Sequence, residues 1–320
     1  MTPTLNPGSQ FVTIPLGVMG GLDESNLSAY LLASAGSSQF VSLDAGTLLS
    51  GIRVANQAGS FAGITVPKES DLSLEGFILR ERVAAYLISH AHLDHVAGLI
   101  LSAPNDSRKP ILGLEETLQD IKNHLFNWRI WPNFGDDGNT PYLSKYFYVM
   151  LAVGKRTRIA NTPLYVSAFP LSHGNVTSTA FLIEAENNYF TLYLGDTGAD
   201  VLEKSNNLRT LWQQVAPLIK KQRFRGLFAE ISYPDGQAEE ELYGHLTPKL
   251  LINALKDLAN LVDPKHPQQA LAGLTVIVTS IKPSLLASAY PSKQIESQLQ
   301  LQNDLGIHFV FATQGQRIEF

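Results

Sequence analysis

Ser89-His90-Ala91-His92-Leu93-Asp94-His95-Val96-Ala97-Gly98-Leu99 is the passage from which the rest of this chain is best read. It begins where the apolar run Val83–Ser89 ends, so an extended strand gives way to a turn at His90. In extended backbone, side chains two residues apart point to the same side, and His90 and His92 can therefore grip one metal ion. Asp94 and His95 then turn back toward a neighbouring position. Two cations held about 3.5–4 Å apart can share a hydroxide and clamp a phosphoryl or carbonyl group, which is the two-metal route to hydrolysis. A merely solvated or packed histidine cluster is the bland alternative, and so dense a run of imidazole and carboxylate is too rare a coincidence to favour it.

Composition is compatible with that chemistry and removes others. The chain has 320 residues, with 24 Lys and Arg against 29 Asp and Glu, a net charge of −5. No long Lys/Arg run is present, which argues against a nucleic-acid partner and for a small soluble substrate. Without Cys, thiolate metal sites, iron–sulfur clusters, disulfides and cysteine nucleophiles are excluded, and any transition-metal site must use imidazole and carboxylate. At 44% hydrophobic and 17% charged residues, the chain can bury a sizeable core. Length alone fits two domains or one large α/β layer structure. The first basic residue is Arg53, and no apolar stretch approaches the roughly 18 residues of a membrane span. A cytoplasmic protein with no membrane partner is expected; a periplasmic chain trimmed of its leader would read the same.

Upstream of the histidines, Phe11–Leu16, Leu27–Ala33 and Gln39–Leu43 read as strands separated by Gly-rich turns, the third ending in Asp44-Ala45-Gly46. Residues 51–81 mix Gly, Ser, Asp and Pro with little periodicity and read mostly as an irregular insertion. Downstream, Leu114, Leu118, Ile121, Leu125 and Trp128 recur at helical spacing until Trp131-Pro132. Pro163–Leu171, Thr179–Ala185, Tyr189–Gly195, Arg225–Ile231, Leu274–Val278 and His308–Phe311 read as strands. Leu208–Lys221, the segment opened by Thr247-Pro248, and Gln294–Leu305 read as helices. Two groups of strands with helices between them predict packed layers, sheets inside and helices outside.

More ligands must come from polar loops after strands. Leu171-Ser172-His173-Gly174 offers an imidazole, and Leu194-Gly195-Asp196-Thr197-Gly198 a carboxylate able to bridge two metals. Ligand type makes zinc the default and leaves manganese, iron and magnesium open.

Asp44-Ala45-Gly46, His90 to His95, His173 and Asp196, in that order, resemble the metallo-β-lactamase superfamily. The continuation through Ser102-Ala103-Pro104 is similar to the extended signature of class II cyclic-nucleotide phosphodiesterases. So are Gly20-Gly21 to Asn26-Leu27-Ser28, Ile130-Trp131-Pro132, Gly195-Asp196-Thr197-Gly198 and Tyr243-Gly244-His245-Leu246-Thr247-Pro248. The resemblance implies a single α/β domain over residues 1–320, an αββα four-layer sandwich with insertions near 51–81 and 105–151. It implies that His90, His92 and His173 hold one divalent metal, Asp94 and His95 the other, with Asp196 between them. The implied reaction is hydrolysis of a small-molecule cyclic nucleotide, cAMP or cGMP, to the 5′-monophosphate. A metal-bridging hydroxide held by Asp94 would attack phosphorus in line with the 3′-oxygen, and His245 would protonate that oxygen.

One position departs from the pattern. Where the family carries T-H-[IV]-K, this chain reads Thr279-Ser280-Ile281-Lys282, and a serine hydroxyl is a poor ligand for a divalent transition metal. The second metal site is therefore expected to be weaker. His245 lies just before the N-terminus of a helix, where an anion is favoured, and three roles stay open for it: acid or phosphate binder, substitute ligand, or loop cap. Glu230 can buttress His245 or Asp196, or be an ordinary turn residue. His124, Asn127 and Trp131 are candidate substrate contacts, with Trp128 and Leu125 more simply packing a helix onto the body. His266 and His308 read as a solvated and a structural residue. A lactonase, thioesterase or linear phosphodiesterase would share every ligand, and a nucleotide-binding protein with a disabled metal site is the non-enzymatic rival. Oligomeric state leaves no readable mark.

Overall fold

The computed structural model describes residues 8–320. The first sheet is built from β1 (Phe11–Gly17), β2 (Ala29–Ser34), β3 (Phe40–Leu43), β4 (Val83–Leu87), β5 (Lys109–Gly113) and β6 (Tyr146–Met150). The second is built from β7 (Thr157–Ile159), β8 (Leu164–His173), β9 (Val176–Ala185), β10 (Phe190–Tyr193), β11 (Phe224–Glu230), β12 (Thr275–Thr279) and β13 (His308–Phe311). A short last strand, β14 (Ile318–Glu319), returns to the first sheet, which runs β14-β1-β2-β3-β4-β5-β6. The second runs β13-β12-β11-β10-β9-β8-β7. Each sheet has an antiparallel half and a parallel half: β3 to β6 run parallel in one, β10 to β13 in the other.

Burial follows the period-two alternation of strands. In β2, Tyr30 and Leu32 enter the apolar layer between the sheets, with Leu43, Leu87, Phe181, Tyr193, Phe228 and Ile277, while Ala29, Leu31 and Ala33 face the helices. On that outer face lie α1 (Leu49–Gln57), α2 (Leu74–Phe77), α3 (Leu93–Ser102) and α4 (Glu115–Asp120). The other face is covered by α5 (Asp200–Glu203), α6 (Asn207–Lys220), α7 (Pro248–Val262) and α8 (Pro291–Gln302). Three apolar layers between four structural layers make this the expected αββα sandwich.

Three expectations are refined. Residues 51–81 are irregular from 58 to 73, but α1 and α2 lie at their two ends, and α2 runs on into a wide π-type turn, Ile78–Arg82. The helical signal of α1 is diluted by Gly51, and a Cβ there would stand 2.1 Å from the Leu16 carbonyl oxygen, so close contact with β1 demands glycine. The helix beginning near Leu114 loosens at Ile121 and ends by Phe126, leaving Trp128 outside it, 41% exposed. Asn127 ends it, because its Oδ1 accepts from the backbone N–H groups of Arg129 and Ile130 at 3.0 and 2.8 Å. Residues 105–151 contribute β5 and β6, parallel strands that extend the first sheet. No helix of the described residues is long and apolar enough to cross a membrane.

Candidate metal centre

The polar residues singled out in the sequence meet where parallel strands of both sheets end. Asp44 follows β3 and His90 follows β4, while Asp196 and Ser280 lie just beyond β10 and β12. His173 is the last residue of β8 rather than part of a loop, and Glu230 the last of β11. The Asp44 loop and the start of α3 lock together: Ala45 N–H donates to the His95 carbonyl at 2.8 Å and Gly98 N–H to the Gly46 carbonyl at 2.8 Å. Gly46 has no alternative, since a Cβ would sit 2.0 Å from the Asp94 carbonyl oxygen.

Neighbours fix which ring nitrogen each histidine presents. Ser89 Oγ donates to Asp44 Oδ2 at 2.7 Å, so it can only accept from His90 Nδ1, 3.0 Å away, leaving the lone pair on His90 Nε2. His95 Nδ1 donates to Asp44 Oδ2 at 2.7 Å, and His173 Nδ1 to the Gly244 carbonyl at 2.8 Å. Both thereby turn Nε2 inward. His173 Nε2 lies 3.3 Å from His92 Nδ1, which matches two nitrogens about 2.0–2.1 Å from one tetrahedral ion. His95 Nε2 lies 3.2 Å from Asp196 Oδ2. Donor atoms of His90, His92 and His173 fall within 4.8 Å of one another, as do those of His90, His95 and Asp196. Asp94, its side chain 20% exposed, stands at the rim with Oδ2 3.8 Å from His95 Nε2.

These residues fit divalent cations. His90 Nε2 and Asp196 Oδ1 are buried and make no hydrogen bond among the described residues, a state that costs about 1–3 kcal/mol per group unless a ligand satisfies it. Burial pushes His90 well below the usual imidazole range, and His92 below it, so both present neutral nitrogens. At His95 burial opposes the charged form, but the carboxylates of Asp196 and Asp44 outweigh it and raise the pKa well above normal. At Asp196 burial favours the neutral acid, and the surrounding imidazoles, His95 first, reverse this and hold it well below the carboxylate range. The cluster is thus a pole of negative charge that a dication can occupy in place of the His95 proton.

Ser280 is fully buried in the left-handed region at φ 55°, a strained conformation for a residue other than glycine. Its Oγ lies 2.9 Å from Ser28 Oγ and its carbonyl accepts from Ser232 Oγ at 3.0 Å. His245, in the loop before the Thr247 cap of α7, places Nδ1 2.9 Å from Glu230 Oε1 and 3.7 Å from Asp196 Oδ2. Glu230 is itself held by the backbone N–H groups of Thr197 and Ser232, at 3.2 and 3.0 Å. Burial opposes the imidazolium of His245, yet the Glu230 carboxylate, assisted by Asp196, raises its pKa above the usual value. His245 also has a donor atom within 4.8 Å of those of His173 and Asp196.

None of the three candidate substrate contacts supplies a donor atom to these clusters. The His124 side chain is 73% exposed, 3.9 Å from Asp120. Asn127 is spent on its own turn, donating to the Asn123 carbonyl while accepting from Arg129 and Ile130. Trp131 packs against the helix-side core with its indole N–H buried and without a hydrogen-bond partner among the described residues. The sequence reading did not identify Ser89, Tyr193 and Ser232 as supports. Tyr193 donates to Asp44 Oδ2 at 2.6 Å, so that carboxylate gathers donors from both sheets.

A family model described as class-II cAMP phosphodiesterases matches residues 8–315. The chain is 42% identical over 310 residues to a 3′,5′-cyclic-nucleotide phosphodiesterase of Aliivibrio fischeri, covering 97% of this chain and 93% of the relative. It is 39% identical over 310 residues to a probable 3′,5′-cyclic-nucleotide phosphodiesterase of Yersinia pestis, covering 97% and 89%. Among solved structures, unliganded yeast PDE1 superposes with a TM-score of 0.81 at 24% identity, over 98% of this chain and 100% of that one. The metallo-β-lactamase fold protein YhfI of Bacillus subtilis gives 0.60 at 14% identity, over 97% and 99%. These two likenesses show the fold.

Proposed function

The chain belongs to the class-II cAMP phosphodiesterases, metal-site hydrolases of 3′,5′-cyclic nucleotides, and from that premise we propose which residues do the work and how. His90, His92 and His173 hold one divalent cation, and Asp94 and His95 a second, with Asp196 between them. Zinc is the ion that imidazole and carboxylate donors favour. The substrate is cAMP or cGMP, cleaved between phosphorus and the 3′-oxygen to give the 5′-monophosphate. The observation that supports this reading is that His90 and Asp196 belong to one buried donor cluster and that each keeps an atom, Nε2 and Oδ1, without a hydrogen-bond partner among the described residues.

Divalent cations at these residues would supply activation of a water for attack on phosphorus and neutralisation of charge on the phosphate oxygens. Asp94, at the rim, accepts a hydrogen bond from the attacking water and orients it. Asp44 keeps His95 in the tautomer that faces the centre. His245, protonated with Nδ1–H on Glu230, carries its other N–H toward the departing 3′-oxygen and gives up that proton as the bond breaks. Glu230 keeps the ring charged and in place. Of the outer candidates, the exposed His124 ring is the one open to a nucleotide, while Asn127 shapes the turn between it and Trp131.

With Ser280 where the family pattern has histidine, this chain would offer a second cation one imidazole donor fewer. A second reading follows for His245, favoured by its reach to His173 and Asp196: it ligates there instead of donating a proton. The base experiment is substitution of Asp94→Ala and Asp196→Ala. Turnover should vanish in both, and a retained rate in either would sink the two-metal scheme.

A further inference from the structure

The parallel strands β10, β11 and β12 carry the metal centre at their C-terminal ends. At their opposite ends lies a cleft of about 550 Å³, within the size range of small-molecule sites. Its lining includes Tyr189, Lys221, Arg223 and Arg225 and no carboxylate. Arg223 and Arg225 straddle the first residue of β11, so period two sends both side chains to one side. Their guanidinium carbons stand 5.2 and 4.2 Å from the Tyr189 ring centre, which holds both forks in place.

The nearby carboxylates are engaged elsewhere. Glu184, opposite Phe190 across the sheet, is taken by Arg156 at 2.5 and 3.1 Å, and Glu186 pairs with Arg158 at 3.5 Å. None of the ion pairs among the described residues involves Lys221, Arg223 or Arg225. Arg225 Nε is buried and makes no hydrogen bond among the described residues. A cleft walled by one sign of charge focuses its field and concentrates counter-ions, unusual in a chain whose net charge is −5. Guanidinium forks recognise phosphate through paired N–H donors.

We infer that this cleft is a second ligand site, taking a phosphate monoester of small-molecule size. Arg225 and Glu230 are five positions apart along β11, roughly 17 Å at the rise of an extended strand, so a molecule here does not share the metal centre. The inference stands independently of the phosphodiesterase mechanism.

The test is isothermal titration of the metal-loaded protein with 5′-AMP, in wild type, in Asp196→Ala and in Arg223→Ala/Arg225→Ala. Binding should persist in Asp196→Ala and weaken at least tenfold when Arg223→Ala/Arg225→Ala is added to that variant; the double arginine variant by itself should match wild type in cAMP turnover and circular dichroism. Arg223→Lys/Arg225→Lys, which keeps the charge but loses the forks, should fall between. Inorganic phosphate should compete with 5′-AMP, and added salt should weaken both. Unchanged affinity on adding Arg223→Ala/Arg225→Ala to Asp196→Ala would overturn the inference. So would adenosine binding as tightly as 5′-AMP, or binding of a single-stranded oligonucleotide but of neither phosphate nor 5′-AMP.

Discussion

Replacing His245 by Gln separates the roles open to this residue. A positioned general acid contributes about 10²–10⁴ in rate, or roughly 3–5 kcal/mol of barrier at about 1.4 kcal/mol per decade. The fold should lose less than about 2 kcal/mol, because Glu230 keeps its bonds from the Thr197 and Ser232 backbone and Gln can still donate to it. The assay compares kcat for cAMP with kcat for bis(4-nitrophenyl) phosphate, whose leaving group departs without a proton, and counts metal on the same samples. The expected result is a 10²–10⁴ loss on cAMP, less than tenfold on the aryl ester, and unchanged metal content. Equal losses on both substrates would refute the acid role. If they came with one ion fewer per chain, His245 would be a ligand. The pH profile supplies a sign. The acid form is needed, so kcat should fall as pH rises through the raised pKa of His245, and Glu230→Gln should move that fall to lower pH.

Ser280→His should tighten the weaker metal site by tenfold or more, read by competition with a chromophoric chelator; unchanged affinity would mean that position 280 does not face the ion. Asp44→Asn replaces a carboxylate that accepts from Ser89, His95 and Tyr193, and should cost about 10–100-fold in metal affinity by the same titration. Away from the centre, Asp106→Ala strips the buried partner from Lys109 (2.8 Å), Tyr86 (2.6 Å) and Tyr146 (2.8 Å). It should destabilise by about 3–5 kcal/mol in urea unfolding, and Lys109→Met in that background should recover part of the loss by removing the unpaired charge.

Much of this was legible in the chain because metal ligation needs few residue types at rigid spacing. His90, His92 and His95 declare themselves within one strand-to-helix junction, and His173 ends, and Asp196 follows, a strand whose apolar run is plain. Less legible were the supports. Ser89 and Ser232 look like any serine until the fold gives their hydroxyls the histidine Nδ1 atoms at 3.0 Å. Tyr193 sits at the end of an apolar strand, and nothing local says that its hydroxyl reaches a carboxylate 149 positions away. The ends of the Leu114 helix were misread because an Asn side chain outcompeted helical periodicity, and α1 was missed because its contact with β1 demands a glycine. The basic cleft leaves no motif at all, since Tyr189 joins Arg223 and Arg225 only through strand pairing.

The most direct test of the account is product analysis with cAMP and cGMP on the purified protein, before and after chelation and again after adding zinc or manganese, with metal counted on the same sample. The account predicts 5′-AMP or 5′-GMP, lost on chelation, restored by the cation, and fastest near two ions per chain. Full turnover on a chelated, metal-free chain, or none on a chain carrying two ions, would contradict it.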